Sequence, residues 1–152
     1  MSSLNLMVTI INRYRIKHFT DFYIAQGLTV SCITLGMGTA SSEILDYFGL
    51  DGSEKGVFFH VVTDDAWKKV KRALRSQMQI DVPGIGIAFL VPLSSIGGKK
   101  ALNYLINGQE FQKEEESTLK ETKYELLTVI ANQGYTDMIM MPRVKCMRRA
   151  AP

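Results

Sequence analysis

With 152 residues, the chain has room for one domain, or for one domain plus a fragment. Its 46% apolar and 22% charged residues are ordinary for a globular protein, and a net charge of +3 does not demand a nucleic-acid partner. No apolar run approaches the ~18 residues of a membrane span, and no secretory-type lead opens the sequence. Cys32 and Cys146 stand in no CxxC pair or Cys/His metal spacing, and His18 and His60 are far apart, so no metal site is expected. The reducing cytoplasm is the expected setting.

Leu4 to Ile11 is almost continuously apolar, which predicts a central strand or one covered on both faces. Asn12-Arg13-Tyr14 breaks that pattern. Ile16, Phe19, Tyr23 and Ile24 then recur at helical intervals and predict a helix from Ile16 to Gln26, with Gly27 as its C-terminal cap. A second strand is expected from Leu28 to Leu35. The stretch from Gly36 to Gly56 is long for a connection in a compact domain, and such loops are usually functional. In its middle, Ser41-Ser42-Glu43-Ile44-Leu45-Asp46-Tyr47-Phe48 places a cap-like serine pair before apolar residues. These apolar residues either patch the edge of the core or form a partner-contact surface.

Val57 to Val62 has the β-branched and aromatic composition of a buried strand. A helix follows to Gln77, with Asp64 or Asp65 as its expected cap. Ala66, Val70, Ala73 and Leu74 form its inner stripe, with Trp67 near the edge. Lys68, Lys69, Lys71, Arg72 and Arg75 cover its outer face. Pro83-Gly84-Ile85-Gly86 reads as a turn, and Ile87 to Val91 as a strand stopped by Pro92. Lys99 to Ile106 reads as a short helix ended by Asn107-Gly108, and Gln109 to Thr122 as a charged linker or exposed helix.

The element order is β-α-β-β-α-β. It predicts an α+β fold, the ferredoxin-like sandwich, in which two helices cover one face of an antiparallel sheet. The other face would expose a large apolar patch, the usual mark of an interface, so a homo-oligomer is expected.

Tyr124 to Gln133 repeats the pattern of Leu4 to Arg13, an apolar strand ending in Asn and a polar residue. Thr136-Asp137 then echoes Thr20-Asp21, as if a second copy began near Lys123. The pattern is lost after Met141-Pro142 in a basic tail carrying Arg143, Lys145, Arg148 and Arg149. A truncation, a reading-frame slip near Met141 and a natural short tail would each leave this ending. The expected organisation is a domain over 1–98, a linker or helix over 99–122, and a partial second repeat with the tail over 123–152.

Three segments carry a family resemblance. Gly27-Leu28-Thr29-Val30, Val61-Val62-Thr63-Asp64-Asp65 and Gly84-Ile85-Gly86-Ile87-Ala88-Phe89 stand in an order and spacing similar to the nitrogen regulatory P-II family. The resemblance covers roughly Leu4 to Gly98, with the partial second copy beyond. It implies a trimeric signal-transduction protein, not an enzyme, that regulates a target in nitrogen or related metabolism. It implies a small effector bound between subunits, at Gly36, Gly38 and Thr39 and at Gly84, Ile85, Gly86 and Ile87. It also implies target contact through the 36–56 loop, at Ser41, Glu43, Ile44, Leu45, Tyr47 and Phe48.

The chain departs from the family at several places. Ala40 replaces a glutamine, Ile85 and Ile87 replace an aspartate and a lysine, and Ser94 to Gly98 lack the family's arginines. Lys55 falls two residues before the family's loop-end lysine. The resemblance names an adenine nucleotide as effector. Phosphate needs cations or clustered N–H groups, so these losses imply weakened binding, with Lys99 and Lys100 as substitutes if the chain folds back.

The competing reading is a ferredoxin-like nucleic-acid module using the basic helix face at 65–77, with Phe58 or Phe59 stacking on bases. No Ser/His/Asp set, HExxH, Walker loop or GxGxxG supports catalysis.

Overall fold

The computed structural model describes residues 3–38, 54–109, 111 and 126–140. Strand β1 (Leu4–Asn12) leads through a 3₁₀ turn (Arg13–Arg15) into helix α1 (Ile16–Ala25). Strands β2 (Cys32–Met37) and β3 (Glu54–Thr63), helix α2 (Asp64–Ser76), strand β4 (Gly86–Pro92) and helix α3 (Lys99–Ile106) follow. The strands form one sheet in the order β2-β3-β1-β4 with every neighbouring pair antiparallel. This is the ferredoxin-like arrangement that the element order predicts.

The chain divides into two units, Met1–Thr118 and Leu119–Pro152. In the second unit, residues 126–132 are in no regular element and 136–140 are helical. The strand expected over Tyr124 to Gln133 is therefore not formed in its described part. Among the described residues, no helix is long and apolar enough to cross a membrane.

Strand alternation sorts the core. Met7, Thr9 and Ile11 of β1 lie opposite His60, Phe58 and Gly56 of β3, so all six share one face. Phe19, Phe22 and Tyr23 of α1 and Val70, Ala73 and Leu74 of α2 join Met7, Ile11, Phe58 and Val62 in one buried cluster. Both helices thus cover the same face. Each of these large side chains contributes about 1.5–3 kcal/mol on burial. Gly56 is required there, because a Cβ would come within 2.5 Å of the Ile16 side chain. The other face carries Leu6, Val8 and Ile10 of β1 beside Val57, Phe59 and Val61 of β3 and Ile87 and Phe89 of β4. Ile87 and Phe89 remain 37% and 43% exposed, so among the described residues no helix covers this face at β4.

Helix ends follow local chemistry. Gly27 (φ +84) closes α1. Its N–H donates to the Ile24 carbonyl at 3.0 Å, and the N–H of Leu28 donates to the Tyr23 carbonyl at 2.9 Å. This is the Schellman arrangement expected for a glycine cap. Thr63, not Asp64 or Asp65, caps α2, its hydroxyl accepting from the Ala66 N–H at 3.3 Å. Asp64 instead accepts from the Ser3 N–H and hydroxyl and from the Asn5 amide, at 2.9, 2.7 and 2.9 Å. The Ser3 hydroxyl is the main reason that its carboxyl sits below the usual range.

The second strand starts at Cys32 and not at Leu28. The N–H of Leu28 is committed to the α1 cap. The edge of β3 beyond Phe59 is occupied by Gln109, whose amide donates to the Val61 carbonyl and accepts from the Thr63 N–H, both at 2.9 Å. Pro92 is the last residue of β4 and not its stop, which an edge strand tolerates.

A polar row crosses the core. The Tyr23 hydroxyl and Thr9 Oγ1 are 2.6 Å apart, and Ser31 Oγ lies 2.6 Å from His60 Nε2. The Tyr23 and His60 ring centroids are 4.4 Å apart, and His60 stacks on Phe58. Burial pushes the Tyr23 hydroxyl up to about 12. His60 is 1% exposed and its Nδ1 has no hydrogen-bond partner among the described residues. Burial lowers its pKa from 6.5 to about 4.

A histidine that is neutral when folded and titrates at 6.5 when unfolded stabilises the fold fully only above 6.5. Between those two values the unfolded chain holds the extra proton, so stability falls as the pH falls. The loss by the lower limit is about 3 kcal/mol. Urea unfolding from pH 7 to pH ~4 should show this decline, and His60→Phe should flatten it. Asp64 adds its own loss only lower, below the ordinary carboxylate value of 3.8.

Candidate functional site

Four strand ends meet at one end of the sheet. Gly36 near the end of β2 pairs with Lys55 at the start of β3. Lys55 pairs with Asn12 at the end of β1, and Ile11 pairs with Gly86 at the start of β4. The two strands reach further than Leu35 and Val57, to Met37 and back to Glu54, so the connection between them starts after Met37, and it leaves the sheet from the same end as the Gly84 turn.

Side chains tie this end together. Lys55 is 4% exposed, and lysine is rarely buried unless paired. Its ammonium donates to Asn12 Oδ1. Asn12 Nδ2 donates to the Tyr14 hydroxyl at 3.3 Å and approaches the Gly84 carbonyl at 3.5 Å. Arg13 and Glu54 add an ion pair at the surface. The sequence marked Asn12 only as a break in the strand and Lys55 as a misplaced family lysine. The one signal for their pairing is the register that sets them opposite each other.

The expected effector residues fall into two groups. Gly36 lies within β2, and Gly38 follows that strand. Thr39 and the expected target-contact residues Ser41, Glu43, Ile44, Leu45, Tyr47 and Phe48 lie outside the described residues. Gly84 (φ +87) turns the chain, Ile85 packs against the core, and Ile87 is partly exposed on the open face. Gly36 and Gly84 to Ile87 share an end of the sheet but belong to its opposite edge strands. Three strand spacings of ~4.8 Å separate these edges, roughly 14 Å.

Beside Gly86 and Ile87 opens a groove of ≈ 390 Å³ between α2 and β4. Trp67, Leu74 and Ile80 give it an apolar wall, and Lys71 and Arg75 give it cations. Arg75 Nε lies 3.5 Å from an Asp81 carboxylate oxygen. Lys99 and Lys100 open helix α3, which follows the end of β4 at Pro92. They belong to the strap running from β4 to the other end of the sheet, where Leu93 donates to the Leu4 carbonyl and Gln109 reaches Val61.

The basic outer face of α2 is exposed, with Lys68 held by Asp65 at 3.1 Å. Phe58 is fully buried under the helices and cannot stack on a base. Among the described residues, no three His, Cys, Asp or Glu side chains cluster as a metal site.

No family model matches this chain, and no curated protein matches it. Solved structures share similarity with it, and two stand as examples. One, from Thermus thermophilus, is described as a "putative PII-like signaling protein". It is 13% identical over 59% of this chain and 85% of its own, with a TM-score of 0.44. The other is a functionally unknown protein from Pediococcus pentosaceus. It is 11% identical over 63% of this chain and 97% of its own, also with a TM-score of 0.44.

The Gly86 position admits no side chain. Its φ is +155°, and a Cβ would stand 2.5 Å from the Ile10 carbonyl oxygen and 2.7 Å from Ile11 Cγ2. Neither backbone nor packed strand can yield cheaply. Gly86→Ala should cost about 3 kcal/mol, read as a lowered urea midpoint. Gly97→Ala, with open space around it, should change little.

Proposed function

We propose that this chain is a P-II-like regulatory protein, without catalytic activity, that binds a small anionic effector between subunits and acts on a target protein through the 36–56 loop. The supporting observation is the placement of the two glycine segments at one end of the sheet but on opposite edge strands. A small molecule touching both must bridge two copies, the β2 edge of one meeting the β4 edge of the next. The open apolar face, with Ile87 and Phe89 exposed, supports a closed homo-oligomer, a trimer by the family resemblance.

The effector is an adenine nucleotide with a small charge, or a carboxylate. Ile87 stands where the family has a lysine, and Ser94 to Gly98 lack its arginines, so a triphosphate would be poorly neutralised there. Lys71 and Arg75 in the adjoining groove offer positive charge, part of it already taken by Asp81. Regulation of nitrogen use follows from the family resemblance alone.

Two measurements test the reading. Light scattering at micromolar concentration should give a trimer, and a monomer would sink the shared site. Thermal shift with ATP, ADP, AMP and 2-oxoglutarate should show stabilisation by at least one, stronger for AMP or ADP than for ATP. The Lys71→Ala/Arg75→Ala variant should weaken that shift by roughly tenfold in apparent affinity. No shift with any of the four would defeat the effector assignment.

A further inference from the structure

The ladder between β2 and β3 ends at Cys32 opposite Phe59. Carried on in the same antiparallel register, it would set Ser31 opposite His60, Val30 opposite Val61, Thr29 opposite Val62 and Leu28 opposite Thr63. The first of these pairs is already joined, through Ser31 Oγ and His60 Nε2 at 2.6 Å. The next residues are held apart by two side-chain amides. Gln109 takes the Val61 carbonyl and the Thr63 N–H, and Asn107 donates to Thr29 Oγ1.

We propose that Asn107 and Gln109 form a latch wedged between residues 28–30 and the end of β3, and that releasing it lets β2 grow back to Val30. In the lengthened strand the Val30 N–H would donate to the Val61 carbonyl in place of Gln109, while Leu28 keeps its buried place in the core. One backbone hydrogen bond replaces one of the two that Gln109 makes, and the Thr63 N–H and Thr29 hydroxyl exchange their side-chain partners for water. The N–H of Leu28 can stay on the Tyr23 carbonyl, so the end of α1 is not disturbed. Side-chain hydrogen bonds traded for water carry a modest net cost, which a partner's differential interaction can reverse. The composition of Leu28-Thr29-Val30 favours the lengthened form, since it includes a β-branched pair. A partner that engages the strap over 99–109 withdraws the latch and remodels the β2 edge of the sheet.

The test is residue-resolved amide hydrogen exchange on the full chain, wild type against Asn107→Ala/Gln109→Ala. The latch requires the Val30 amide to slow at least tenfold in the variant. Exchange that quickens at Thr63 with no slowing at Val30 would show that Gln109 merely caps a strand end. An unchanged Val30 overturns the proposal whatever Thr63 does. Should circular dichroism show the double variant unfolded, Gln109→Glu takes its place. It keeps an acceptor for Thr63 and loses the donor to Val61, and the same slowing at Val30 is required of it.

Discussion

The register of β1 against its two neighbours is the constraint on which the rest depends. β1 runs between β3 and β4, so a one-residue slip would turn Met7, Thr9 and Ile11 away from both helices. The same slip would bring Leu6, Val8 and Ile10 under α1 and α2. It would also separate Asn12 from Lys55 and Ile11 from Gly86, dissolving the end of the sheet where the loop and the glycine turn converge. Fold and candidate site are therefore fixed by one set of backbone pairings.

Much of this was legible in the sequence. The near-continuous apolarity of Leu4 to Ile11 announced a central strand, and the helical spacing of Phe19 and Tyr23 and of Val70 and Leu74 announced two packed helices. What failed was local and had tertiary causes. Leu28 to Ser31 has strand composition, but Gln109, far along the chain, takes the edge it would use. Asp64 and Asp65 look like caps, yet Thr63 was better placed and Asp64 was recruited by Ser3 and Asn5. The strand-like pattern of Tyr124 to Gln133 joins no sheet in its described part, since periodicity says what a segment can bury and not whether a neighbour exists.

The candidate site was less legible than the fold. Glycines mark where a backbone can approach closely, and Gly84 and Gly86 were readable on that ground. The charges were not. Lys71 and Arg75 looked like two members of a solvated helix face, and only the packing of α2 beside β4 brings them to the turn. Lys55 is a charged residue in an apolar strand, and its burial beside Asn12 depends on cross-strand register.

Gly56 and Ile16 hold a further consequence, for how this sequence can change over time. The two positions divide one volume between them, since a Cβ on residue 56 would overlap Cγ1 and Cδ1 of Ile16. Neither is free to drift alone toward a larger side chain. A lineage can acquire alanine at 56 at low cost only after residue 16 has become smaller, and the reverse order passes through a strained intermediate. Among related chains these two sites should therefore vary as a pair, the strand residue growing only where the helix residue has shrunk.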